Sequence, residues 1–207
     1  MRIIGLAGGS GSGKGTVSKI LSDLGIPSID TDLVYRELTA SDSPCLRALA
    51  SEFGDGIICE AGSLDRTALA RLVFSGEGAE ARRERLNKIA HSFILDETRK
   101  RLQAFAKNGY SFAVVDAPVL FESGFDRECD FTVCVIADKD VRTERIIERD
   151  GLSEEMAKMR IDSQMSDDKL KQRCDFVIVN NGDLESLKTA VLDTVRKIKM
   201  NYNLKGE

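Results

Sequence analysis

The run Gly8-Gly9-Ser10-Gly11-Ser12-Gly13-Lys14-Gly15-Thr16 restricts what this chain can become more than any other stretch. It follows a short apolar run, Ile3-Ile4-Gly5-Leu6-Ala7, and precedes Val17-Ser18-Lys19-Ile20-Leu21, whose apolar residues recur at three and four. A strand entering a glycine loop that opens a helix is the setting a P-loop requires. The glycines let the backbone curl so that several N–H groups converge on one anion. The helix predicted to begin near Lys14 adds the positive end of its dipole. Lys14 adds a full charge able to follow a phosphoryl group in transfer. Gly8, four residues, then Gly13-Lys14 fits the pattern, with Gly15 standing where Ser or Thr usually follows the lysine. The stretch is therefore expected to bind a nucleoside triphosphate through Gly9, Ser10, Gly11, Ser12, Gly13, Lys14, Gly15 and Thr16.

At 207 residues the chain has room for one ordinary domain with a small insertion. Its net charge of −4 offers no general affinity for nucleic acid or anionic lipid, so neither is expected as a partner. No apolar run approaches the roughly 20 residues that span a bilayer. The first strand starts at once, so no signal peptide is expected and the cytoplasm is the expected compartment. Five cysteines, none in a C-x-x-C pair, suggest neither a zinc site nor a disulfide framework, and the single histidine, His91, excludes a multi-histidine centre.

Beyond the first helix, Gly25-Ile26-Pro27-Ser28-Ile29-Asp30 reads as a short strand. Asp30 and Asp32 then fall where a parallel strand would end, at the edge where open α/β sheets bind ligands. Asp30 or Thr31 is expected to cap the next helix. Asp32 reads either as a general base or positioning group for an acceptor hydroxyl, or as a cap or solvated acid. From Ser43 to Asn108 the pattern is helical, with stripes at Leu46, Leu49, Ala50 and Phe53, then at Ala68, Leu69, Leu72 and Val73. A long helix follows from about Glu80 to Lys107, with Leu86, Ile89, Phe93, Ile94, Leu102 and Phe105 inward. So much helix exceeds a simple crossover and reads as an insertion. Arg82, Arg83, Arg85 and Lys88 fit either a phosphate contact or a solvated face. His91 fits either a buried helix histidine or a ligand contact.

Phe112-Ala113-Val114-Val115-Asp116 is the cleanest buried strand, and its terminal acid reads as part of a Mg²⁺ shell or as a helix cap. Phe131–Ile136 and Phe176–Asn180 read as strands four and five. A closing helix from about Leu184 to Lys199 carries Leu187, Val191, Val195 and Ile198 on one face. Between the last two strands lies a charged region from Asp140 to Arg173. Its arginines at 142, 145, 149 and 160 have helical spacing, and Gly151 offers a hinge. Much of this charge fits ordinary i,i+4 pairing. A transferring phosphoryl group also needs cations that arrive as water leaves, which a lid bearing Arg145, Arg149 and Arg160 would supply.

Taken together, these segments resemble the dephospho-CoA kinase family over nearly the whole chain. Six separate stretches carry the likeness in the right order. They are the P-loop; Ile29-Asp30-Thr31-Asp32 with Arg36; Gly62-Ser63-Leu64-Asp65-Arg66-Thr67-Ala68-Leu69 with Val73-Phe74; and Leu86-Asn87-Lys88-Ile89-Ala90-His91. The last two are Asp116-Ala117-Pro118-Val119-Leu120-Phe121-Glu122-Ser123-Gly124, and Arg145-x-x-x-Arg149-Asp150-Gly151-Leu152-Ser153 with Arg160, Gln164 and Asn180-Asn181-Gly182. The resemblance implies an α/β fold of the P-loop NTPase type: a five-stranded parallel sheet flanked by helices, with a helical acceptor-binding insertion and a helical lid. On this chain the core would comprise residues 1–42, 110–137 and 174–207, the insertion 43–109 and the lid 138–173.

The implied reaction moves the γ-phosphoryl group of ATP to the ribose 3′-hydroxyl of dephospho-CoA. Asp32 matches the family's proposed base and Arg145 and Arg149 its lid arginines. Asn180 joins the nucleotide-binding residues, and Mg²⁺ falls to Thr16 and water, with Asp116 assisting. The departures are Gly15, which lacks the hydroxyl that usually ligates Mg²⁺; Ser92, where proline often stands; and Val119 and Cys174 for the usual leucine and alanine. A nucleoside monophosphate kinase shares the loop, sheet and lid and is the nearest rival. A GTP-dependent switch is disfavoured because no Asn-Lys-x-Asp segment occurs. The oligomeric state is left open.

Overall fold

Five short apolar segments pair into one sheet in the computed structural model, which describes residues 1–204. They are β1 (Arg2–Ala7), β2 (Ser28–Asp30), β3 (Phe112–Asp116), β4 (Phe131–Ile136) and β5 (Phe176–Val179), ordered β2-β3-β1-β4-β5. β1 lies at the centre, parallel to β3 and β4, and β4 is parallel to β5. The expected five-stranded parallel sheet is present, the last strand ending one residue before Asn180. The helices are α1 (Lys14–Asp23), α2 (Thr31–Leu38), α3 (Pro44–Phe53), α4 (Arg66–Phe74), α5 (Ala79–Lys107), α6 (Lys139–Asp150), α7 (Glu154–Asp162), α8 (Asp167–Arg173) and α9 (Leu184–Leu204). None among the described residues is long and apolar enough to cross a membrane.

Backbone contacts divide the chain into two units, Met1–Ile29 with Phe105 onward, and Asp30–Ala104. In the first, residues two apart along each strand share a face. Ile4, Leu6, Val114, Phe131, Val133, Val135 and Ile178 form one cluster with Val17 and Leu21 of α1 and Leu187, Val191, Val195 and Ile198 of α9. Each such aliphatic side chain contributes roughly 1.5–3 kcal/mol when fully buried. The α9 spacing of four, four and three keeps one helical stripe on the sheet, as its sequence implied. Near the last strands, Ile146, Ala157 and Ile161 make a separate small core with Ile147 and Leu152, joining α6 to α7. Gly151 between them is a left-handed C-cap, φ +65°, ending α6.

In the second unit the helix starts follow capping chemistry. Asp30 accepts from the N–H groups of Asp32 (2.8 Å) and Leu33 (3.1 Å), Ser43 caps α3 with Pro44 behind it, and Asp65 caps α4. Cys45, Leu46, Leu49, Ile57, Leu64, Leu69 and Val73 form the core, with Leu86, Ile89 and Phe93 of α5 packed against it. All three arginines that suggested a phosphate contact have partners within this unit itself. Arg82 donates to the carbonyls of Leu72 (2.7 Å), Ser75 (2.6 Å) and Glu77 (2.9 Å), satisfying groups that the end of α4 leaves open. Arg85 pairs with Glu52 at 2.7 Å, Arg83 lies over the Phe74 ring and Lys88 is exposed.

Candidate active site

Parallel pairing sets Leu6 opposite Asp116 and Ala7 opposite Cys134, so the loops leaving β1, β3 and β4 emerge at one edge. The chain crosses from β1 to β2 on one side and from β3 to β4 on the other, which makes the gap between β1 and β3 the topological switch point. The P-loop leaves β1 at that gap, and Asp116 closes β3 beside it.

The glycine loop turns into α1 at Gly13, whose φ of +92° is left-handed, and no side chain caps this helix start. Of the first-turn N–H groups, that of Thr16 donates to Gly13 O at 3.0 Å and none is answered by a capping side chain, so this helix start can offer amides and its positive dipole end to an anion. Other amides in the loop serve its own frame: Ser12 N donates to Gly9 O at 3.1 Å, and Ser10 N donates to Gln164 Oε1 at 2.8 Å. Ser12 is fully buried, with Oγ lacking a hydrogen-bond partner among the described residues. Lys14 Nζ forms an ion pair with Asp116 Oδ1, the two side chains being 15% and 5% exposed. A pair this sheltered is costly to break from one side, because the remaining charge stays buried.

From α6, Arg145 Nη1 donates to the carbonyls of Gly11 (3.3 Å) and Asn180 (3.0 Å). Asn180 is 6% exposed and donates through Nδ2 to Ser12 O at 2.8 Å. Gly13, Thr16, Arg145, Asn180, Gly182 and Asp183 border a cavity of about 210 Å³ at the start of α1. On the other side of the loop, Gly8, Gly9, Val119, Phe121, Glu122 and Gln164 border one of about 190 Å³. The fold thus gathers the P-loop, Lys14, Asp116, Arg145 and Asn180 at one edge.

Arg149 is placed elsewhere. Its guanidinium grips Asp150 through Nε and Nη2, both at 2.8 Å, and Arg160 joins the same carboxylate at 2.5 Å. These hydrogen bonds, Arg149's foremost, pull the Asp150 carboxyl down to about 2. The i,i+4 pairing expected within α6 gives way here to a sequence neighbour. Asp32 sits exposed in the first turn of α2, in the second unit, and the capping role belongs to Asp30. Thr16 is exposed on the wall of the 210 Å³ cavity, and His91 is half-buried on α5.

One residue escaped the sequence reading. Arg142 is 4% exposed and presses on the P-loop, whereas in the sequence it was one of several arginines at helical spacing. The signal in the sequence was indirect: glycines at 9 and 11, where the motif accepts any residue.

Oxygen donors at this edge suit a hard divalent cation brought in by phosphates. Mg²⁺ keeps several waters and uses one or two carboxylates beside substrate oxygens, and here Asp116 offers one carboxylate and Thr16 a hydroxyl. No group of three or more His, Cys, Asp or Glu that could hold a metal by itself occurs among the described residues. A Cβ on Gly15 would meet nothing within 4 Å, so there is space where the usual hydroxyl would stand.

Comparison with known proteins agrees with this geometry. A family model described as dephospho-CoA kinase matches residues 2–186. A dephospho-CoA kinase from Syntrophotalea carbinolica is 38% identical over 198 residues, covering 96% of this chain and 92% of the relative. The crystal structure of TT1252 from Thermus thermophilus superposes with a TM-score of 0.77 at 31% identity, over 95% of this chain and 97% of that one. Dephospho-CoA kinase from Campylobacter jejuni gives 0.70 at 24% identity, over 98% and 100%, a likeness of fold. With its P-loop, its β3 acid and this match over most of its length, the chain belongs to the dephospho-CoA kinase family.

Proposed function

We propose that this protein is a dephospho-CoA kinase, transferring the γ-phosphoryl group of ATP to the ribose 3′-hydroxyl of dephospho-CoA and releasing CoA and ADP. The Lys14–Asp116 pair beside the P-loop, in a chain of this family, carries the reading. The uncapped start of α1 and Lys14 hold the phosphates. Arg145 and Asn180 border the nucleotide's end of the site. Asp32 orients the acceptor hydroxyl and takes its proton late, because an alcohol is a poor nucleophile until the phosphoryl group departs. Arg145 and Arg149 offset the charge spreading over the transferring oxygens, Arg149 after releasing Asp150. When bound, Mg²⁺ neutralises phosphate charge, with Asp116 and Thr16 as the protein's oxygen donors.

Residues 43–109 are assigned to the acceptor and 138–173 to the lid. The same proposal takes the enzyme as cytosolic and its partners as the two small molecules alone. Incubation with ATP, Mg²⁺ and a panel of acceptors tests it. Phosphorylation of dephospho-CoA is expected; turnover of AMP or CMP without dephospho-CoA would make the protein a nucleoside monophosphate kinase.

A further inference from the structure

Arg142 takes no part in the transfer outlined above, yet it is buried against the loop that carries it. A buried guanidinium is costly unless its donors are answered. Here Nε donates to Ser10 O (2.9 Å), Nη1 to Asp167 Oδ1 (3.0 Å) and Nη2 to Gln164 Oε1 (3.3 Å). Gln164 completes the grip. Its Oε1 accepts from Ser10 N at 2.8 Å and its Nε2 donates to Ser10 Oγ at 3.2 Å. Ser10, in the middle of the P-loop, is thus held at its amide, its carbonyl and its hydroxyl by two side chains far along the sequence.

The fit leaves no room for a methyl group. A Cβ on Gly9 would lie 2.2 Å from Arg142 Nη2, and one on Gly11 2.6 Å from the Arg142 carbonyl oxygen. Glycine at these two free motif positions is what lets α6 press on the loop. It also makes the loop poor at holding its own shape, since glycine has the most backbone freedom to lose. A loop that binds phosphate through its backbone binds tighter when that backbone is already in place.

We infer that Arg142 is a positioning residue: with Gln164 and Asp167 it fixes Ser10, presets the curve of the P-loop, and ties that curve to the turn between α7 and α8. The role needs the planar fork. A lysine carries the charge but cannot direct donors to Ser10, Gln164 and Asp167 at once.

The inference rests on the kinase reading and is tested on the full chain by calorimetric titration with ADP, which requires neither acceptor nor turnover. Arg142→Lys, Arg142→Met and Gln164→Ala should each bind ADP about tenfold more weakly. Hydrogen exchange should quicken in residues 8–16 and stay unchanged in β4 and α9, and KM for ATP should rise more than kcat falls. A merely structural role would move the whole molecule's exchange together. Wild-type affinity in Arg142→Lys would show that charge alone suffices, and wild-type affinity in Gln164→Ala would leave Ser10 needing no grip; either result overturns the inference while the kinase reading stands. Should Arg142→Met fail to fold, the half-exposed Gln164 carries the test. Wild-type protein that binds no ADP would overturn both.

Discussion

Gly13 is where the P-loop's geometry can be weighed. Its φ of +92° would cost an L-residue roughly 1–2 kcal/mol. Alanine there would also set a Cβ 2.1 Å from Asn180 Nδ2, so Asn180 would have to withdraw and lose its 2.8 Å bond to Ser12 O. Asn180 is buried, and stranding its amide adds roughly 1–3 kcal/mol. Gly13→Ala should therefore destabilise the protein by about 2–5 kcal/mol. Asn180→Ala removes the obstacle, leaving only the left-handed backbone cost of about 1–2 kcal/mol when Gly13→Ala is added to it.

The two substitutions should thus be coupled by about 1–3 kcal/mol, with the double variant more stable than the sum of singles predicts. Urea unfolding followed by far-ultraviolet circular dichroism measures this, since the chain has no tryptophan to report by fluorescence. Each kcal/mol should also move Tm by about 2–4 °C in a chain of this size. Additivity to within about 0.5 kcal/mol would refute the contact between Gly13 and Asn180 as the reason for glycine.

Asp32→Asn should leave ATP affinity intact and lower kcat for dephospho-CoA by about 10²–10⁴-fold, read from steady-state turnover; an unchanged kcat would remove Asp32 from proton transfer. Gly15→Ser fills open space at a position without a positive φ. It should keep or raise stability by a few tenths of a kcal/mol, at about the Gly-to-Ser helix propensity difference. The added hydroxyl should also lower the Mg²⁺ concentration that half-saturates turnover, which a metal titration reads. The Asp150 carboxyl should titrate near 2 rather than 3.8 by carbon NMR. Because its folded value is depressed, the clasp with Arg149 and Arg160 is fully formed above about pH 4. It weakens as pH falls towards 2. Arg149→Ala should bring the midpoint back up, and an unmoved midpoint would assign the depression to something other than that clasp.

The chain's own order of residues determined whatever depends on neighbours within a turn or two. The strand, glycine loop and helix from Arg2 to Asp23 are legible because glycine's backbone freedom, the open helix end and Lys14 all act within sixteen residues of the start. The α9 stripe is legible because 3.6 residues per turn puts Leu187, Val191, Val195 and Ile198 on one side whatever they meet. Asp30 and Asp32 were harder to separate, since either acid suits a helix start. The choice fell to where β2 stops, which hydrogen bonding to its neighbour strand decides.

What charged side chains do was decided only in three dimensions. Arg142, Arg145 and Arg149 lie on successive turns of one helix and are chemically identical. Packing buries the first against Ser10, directs the second to Gly11 and Asn180, and leaves the third with Asp150. Arg82, on another helix, closes the end of α4. A guanidinium's partners are whatever acceptors the fold brings within about 3 Å of its fork. For Arg142 those acceptors stand 132, 25 and 22 residues away, and for Arg149 one residue away, separations that no local pattern encodes.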